Sequence, residues 1–207
     1  TLPTSANWYG GGFLAIRAFG TNVAETRPAN LRVVETDHRG MAAMIWSLPE
    51  GQVRFRYLLE PKSDYLACEV LIHPLDNTPP GLSLFLHSFP SFFTSWLKRD
   101  GWRQAIGPNI IVEQGEAAEI NPAENPWLLL QDTVFDVEEN AAESAGPCGF
   151  LFVPDDMELF RVNVTNYPVS TTVRAKPELT RVRFAVWDFH KRTNADALKR
   201  MQNDAAG

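Results

Sequence analysis

Between residues 53 and 87, three runs of alternating apolar and polar residues follow one another, each bounded by turn residues. They are 53–59 (VRFRYLL), 65–72 (YLACEVLI) and 82–87 (LSLFLH), joined through PKSD at 61–64 and DNTPPG at 76–81. In an extended chain successive side chains point to opposite faces, so this pattern makes ribbons that are dry on one side only. Pro, Gly, Asn and Asp at the joints turn each ribbon back on the last. A chain built this way is confined to antiparallel sheet, and its dry faces need a second layer to bury them.

The rest of the chain reads the same way. Strands are expected at 12–19, 31–36, 41–46, 109–113, 127–135, 149–153, 157–164, 169–175 and 179–189. Two segments show helical spacing instead. One is 91–99, apolar at 92, 93, 96 and 97; the other is 194–202, expected to fray over 204–207. Segments 114–126 and 137–147 read as acidic loops. Fifteen Pro and thirteen Gly, spread along the chain, serve as punctuation between strands. About eleven strands exceed a minimal immunoglobulin-like unit. The expectation is a single all-β domain over 1–207: a large two-sheet antiparallel β-sandwich with one or two short helices.

Composition removes several functions. A net charge of −6 argues against nucleic acid or an anionic membrane as the main partner. No apolar run reaches the 18 or so residues that a membrane-spanning helix needs. No Cys/His cluster has zinc spacing, so neither metal nor cofactor is expected. The triplet Gly10, Gly11, Gly12 lacks the helix and the lysine of a phosphate loop. The paired acids Asp155, Asp156 and Glu138, Glu139 read as solvated charge rather than calcium ligands. Cys68 shares its phase with Leu66, Val70 and Ile72 and reads as a buried small hydrophobe. Whether it pairs with Cys148 is left open, as are localisation and oligomeric state.

The sheet faces carry the functional signal. In 53–59, Val53, Phe55, Tyr57 and Leu59 form one face, with Arg54 and Arg56 on the other. In 180–189, Val182, Phe184 and Val186 oppose Arg181, Arg183 and Trp187. If these strands are neighbours, guanidinium groups and an indole share one platform. A guanidinium fork matches carboxylate and sulfate, and an aromatic ring offers a plate to the C–H face of a sugar. Arg54, Arg56, Arg181, Arg183 and Trp187 are therefore candidate ligand-binding residues for a carbohydrate, acidic sugars included. The competing reading is an ordinary solvent face on which each Arg pairs with Asp or Glu across strands. Trp96 and Trp102, flanking 98–101, read equally as a sugar grip or as core plugs.

Of the four histidines, His38, His73 and His190 read as turn, rim and surface residues. His87 ends a strand beside Ser88, Phe89 and Pro90, where an imidazole can hold a ring oxygen or move a proton. The stretch 65–90 resembles a signature region of the galactose-mutarotase-like (aldose 1-epimerase-like) superfamily. The shared features are an alternating strand, an Asn/Asp-rich turn with Pro, a second strand, and His87-Ser-Phe-Pro in place of the family's His-Pro-Tyr-Phe. That stretch is 26 of the 207 residues. It implies a large antiparallel sandwich with a sugar site on one concave sheet, and His87 as a catalytic residue. It departs where the family's epimerases carry a second histidine and a late glutamate: no histidine stands between His87 and His190, and Glu178 lies outside the usual setting.

Three function classes follow. The first is a carbohydrate-interacting sandwich, non-catalytic or part of a larger sugar-active protein. The second is a sugar epimerase or lyase using His87, which needs a carboxylate or tyrosine in reach. The third is a structural or protein-interaction domain, favoured by an apolar face left open.

Overall fold

A computed structural model describes residues 14–205, apart from 24, 25, 27, 29, 37, 91, 94–97, 100 and 143–145. The chain is an all-β sandwich of two antiparallel sheets. It opens with β1 (Leu14–Ala18) and β2 (Thr21–Asn22), then crosses to a meander of β3 (Asn30–Thr36), β4 (Arg39–Leu48), β5 (Gly51–Leu59) and β6 (Tyr65–Pro74). Strand β7 (Ser83–Ser88) returns to the first sheet. Then come β8 (Phe92–Phe93), β9 (Lys98–Arg99), β10 (Arg103–Gly107), β11 (Ile110–Glu113), β12 (Ala117–Ile120) and β13 (Trp127–Asp132). A short helix α1 (Glu138–Ala142) precedes β14 (Cys148–Phe152), β15 (Met157–Val164), β16 (Val169–Ala175), β17 (Arg181–Asp188) and helix α2 (Asn194–Ala205).

One sheet runs β12-β15-β16-β7-β1-β2 and the other β11-β10-β13-β14-β17-β6-β5-β4-β3. Their inner faces share one core, formed by the residues the alternation marks as dry. Val53, Phe55, Val70, Val182 and Phe184 come from the larger sheet, and Leu84, Leu86, Phe160, Val162 and Val173 from the smaller. Phe152 joins the layers, its ring 5.1 Å from that of Phe160. The turns behave as their residues dictate: Thr36 Oγ1 accepts from the backbone N–H of His38 and Arg39 and closes the β3–β4 hairpin. Cys68 and Cys148 are free and buried. Burial pushes the Cys68 thiol up to about 12 and raises that of Cys148 as well, so both stay protonated.

Several expectations fail here. Residues 92–93 and 98–99 pair as an antiparallel hairpin instead of lying in a helix. The 114–126 segment holds β12, and 137–147 holds α1. The terminal helix runs on to Ala205, because Asp204 accepts from Trp187 Nε1 at 3.0 Å and from Arg200 Nε at 2.8 Å.

Gly146 sits where no side chain fits. Its φ is +84°, and a Cβ there would lie 2.3 Å from the Phe189 carbonyl oxygen. Gly146→Ala is expected to lose at least the roughly 1–2 kcal/mol of the left-handed conformation, with the displaced Phe189 backbone adding to it. Urea denaturation measures this; a variant as stable as the parent would show that the loop simply moves aside.

Candidate functional site

The last strand decides the geometry of the arginine face. β17 inserts between β14 and β6, so β5, β6 and β17 lie side by side. The registers then stack the outward residues in rows. Arg54 and Arg181 both oppose Leu71; Arg56 and Arg183 both oppose Glu69. The four arginines therefore share one face of the nine-stranded sheet, two strands apart within each row.

Their electrostatics divide them. Arg56 Nε lies 2.5 Å from Glu69 Oε2. Arg183 forks onto Asp156, with Nε 2.7 Å from Oδ2 and Nη2 2.9 Å from Oδ1. The Asp156 carboxylate is only 3% exposed, and it holds the Arg183 guanidinium above its usual pKa. This second row matches the ordinary cross-strand pairing of a solvent face. Arg54 and Arg181 differ: neither has an ion-pair partner among the described residues, and Arg54 Nε is buried without a hydrogen-bond partner.

Trp187 is not a plate on this face. It points outward as its phase requires, but α2 covers it and leaves it 2% exposed. Its indole donates to Asp204 and its ring packs 4.9 Å from that of Tyr65. A helix docked on a sheet cannot be read from the strand beneath it.

Beyond the charged row lies an apolar one. Met41, Leu58, Ala67, Ala185 and Leu151 stand in register on five adjacent strands. They floor an open cavity of about 740 Å³, with Arg56, Glu69 and Arg183 along one side and Ala205 of α2 at the other. Alternation could not show this trough, because it depends on which strands are neighbours and where α2 stops.

His87 lies elsewhere. It is the penultimate residue of β7, in the six-stranded sheet, and faces outward on the opposite side of the sandwich from the arginines. His87 therefore does not border the arginine face: the 75–82 connection crosses from one sheet to the other. Its ring packs 5.6 Å from Phe85 and 4.8 Å from Phe89, and its Nδ1 lies 3.3 Å from Ser170 Oγ. Burial alone lowers its pKa, with no carboxylate among the causes.

That lowered pKa sets a pH dependence. Below the ordinary value of 6.5, the unfolded histidine takes up a proton that the folded one resists. Stability should fall as pH drops through that range, and His87→Gln should lack this part of the loss. Melting curves at pH 7.5 and 5.0 test it; identical losses in both proteins would mean the folded ring titrates normally.

Trp102 is 48% exposed, with Nε1 bonded to Glu113 Oε2, whereas Trp96 falls outside the described residues. Among the described residues no cluster of three or more His, Cys, Asp or Glu side chains could hold a metal ion, and no helix is long and apolar enough to cross a membrane.

No protein-family model matches the chain, and no curated protein matches its sequence. Solved structures do share its fold. The alpha-N-acetylgalactosaminidase NagBb from Bifidobacterium bifidum, in its GalNAc complex, superposes with a TM-score of 0.59 at 10% identity, covering 95% of this chain and 33% of that one. The GH36 alpha-galactosidase AgaA from Geobacillus stearothermophilus, in complex with stachyose, gives 0.50 at 15% identity, over 93% and 32%. The galactosidase domain of the alpha-galactosidase-sucrose kinase AgaSK gives 0.50 at 12%, over 87% and 30%. The chain spans about a third of the length of these structures. At such identity the likeness is one of fold: a β-sandwich that carbohydrate-active enzymes contain.

Proposed function

We propose that this chain is a single, non-catalytic carbohydrate-interacting β-sandwich domain of a larger sugar-active protein. The observation that carries the reading is the fold shared with NagBb, which extends over nearly all of this chain and a third of that enzyme. The resemblance of 65–90 to the galactose-mutarotase-like superfamily belongs to the same proposal. So does an acidic ligand group held by Arg54 and Arg181. Two strands apart, they stand roughly 10 Å from each other along the backbone, within reach of one carboxylate or sulfate above Leu71. Arg56 and Arg183, already paired, serve as its frame.

The test is a glycan array that includes uronic and sulfated sugars. Replacing Arg54 and Arg181 together by alanine should weaken binding of an acidic hit by more than about 1 kcal/mol, the ceiling for an exposed ion pair. A robustly folded sample that binds no sugar would sink the proposal.

One observation favours a second reading, a protein-contact domain. The row Met41, Leu58, Ala67, Ala185 and Leu151 is an open apolar trough edged by charge, the composition of an interface core with its rim. On this reading the native protein binds the apolar dye ANS, and Ala67→Glu abolishes the signal without unfolding. A native protein that leaves the dye dark would remove it.

A further inference from the structure

The outer face of the six-stranded sheet carries exposed rings. Phe85, in the middle of β7, is 38% exposed, and Tyr167, in the turn between β15 and β16, is 53% exposed. Between them the rings form a continuous strip, His87 packing on Phe89 and Phe89 packing edge-on against Tyr167 at 4.8 Å. Apolar surface left in water lowers stability, so a strip of this kind on a sheet asks for an occupant.

The ground beside Phe85 is shaped by its neighbours. Across the ladder it faces Thr172 on β16 and Ala15 on β1. Because Ala15 is small, one flank of the ring stays open. A cavity of about 490 Å³ lies there, lined by Phe85 together with Arg17, Asn22, Ser83 and Thr172. Its volume falls within the ordinary range of small-ligand sites. Its chemistry is also selective. Two hydroxyls and an amide can each donate or accept, and the guanidinium only donates. Vicinal hydroxyls need that mixture. A purely apolar ligand would leave the Ser83 and Thr172 hydroxyls and the Arg17 guanidinium unused, and a strongly anionic one would use only the donors.

We propose that this cavity is a pyranose-binding subsite of the carbohydrate function proposed above. The C–H face of the ring lies on Phe85. Ser83 and Thr172 exchange hydrogen bonds with its hydroxyls, and Arg17 donates to one of them. Tyr167 presents a second ring for a neighbouring unit of the same oligosaccharide. His87 then belongs to the binding strip and moves no proton. The proposal rests on the carbohydrate reading but not on the arginine face, which looks out from the other side of the sandwich.

The experiment is an array of neutral and acidic oligosaccharides, with each neutral hit then titrated calorimetrically into four proteins. These are the parent, Phe85→Ala, Thr172→Val and the Arg54→Ala/Arg181→Ala pair. Circular dichroism checks that each is folded. The expected result is at least a tenfold weaker hit for Phe85→Ala, a several-fold loss for the near-isosteric Thr172→Val, and no change for the arginine pair. A neutral hit that binds Phe85→Ala as tightly as the parent, or a parent that binds acidic sugars alone, overturns this site and leaves the carbohydrate reading standing. A folded parent that binds no sugar overturns both.

Discussion

Asp132→Ala is expected to destabilise the protein by about 3–5 kcal/mol, the usual cost of breaking a buried ion pair from one side. Arg103 and Asp132 are both wholly buried, with Nε and Oδ2 3.7 Å apart. The carboxylate also organises backbone: Oδ1 accepts from the N–H of Gly101 at 2.8 Å and from that of Val134 at 3.0 Å. The arginine in turn donates from Nη1 to the Asn166 carbonyl oxygen, 2.5 Å away. Removing Asp132 therefore takes one carboxylate away from an interior guanidinium and frees two backbone donors. Arg103→Met should cost less, because Asp132 keeps those donors. Urea denaturation with an unchanged m-value would measure both. If Asp132→Ala loses less than about 1 kcal/mol, water reaches the site and the pair is not truly dry.

Phe160→Ala is expected to lose about 3–5 kcal/mol, for a different reason. Phe160 is 0% exposed and projects from the six-stranded sheet into the core, where Phe152 of the other sheet meets it. Phe152 also contacts Phe150 at 5.9 Å and Phe184 at 6.5 Å, so the ring next to the new void is held by its own sheet. Walls that cannot collapse leave most of the cavity open. Phe160→Leu, which keeps more of the volume, should cost well under half as much. Equal losses for the two would mean that the aromatic contacts, rather than the filled volume, set the stability of the core.

Legibility in the sequence followed local pairing. In β5 and β17 the alternation picked the buried face correctly, since a half-buried strand writes its environment at period two. It failed where the buried residues are not apolar. Strand β10 turns Arg103, Ala105 and Gly107 inward, and only one of the three is a hydrophobe. Strand β12 hides in an acidic stretch with Ile120 as its single strongly apolar residue. At 91–99 the apolar pairs 92–93 and 96–97 fit a helix, but 92–93 also fit a two-residue strand, and pairing with 98–99 settled it.

The candidate site shows the same division. That Arg54, Arg56, Arg181 and Arg183 point away from the core followed from the sequence alone, because side-chain direction in a strand is a property of parity. That they share rows, and that Glu69 and Asp156 neutralise two of them, came from the insertion of β17 between β14 and β6, more than a hundred residues from β5 in the chain. Trp187 had the right direction and lost its exposure to α2. His87 follows β6 closely in sequence yet stands on the other side of the molecule, and the rings beside it gather from β7 and the β15–β16 turn. Alternation is written by each strand's own two faces. The choice of sheet and neighbour is made by long-range pairing and burial, which no single strand encodes.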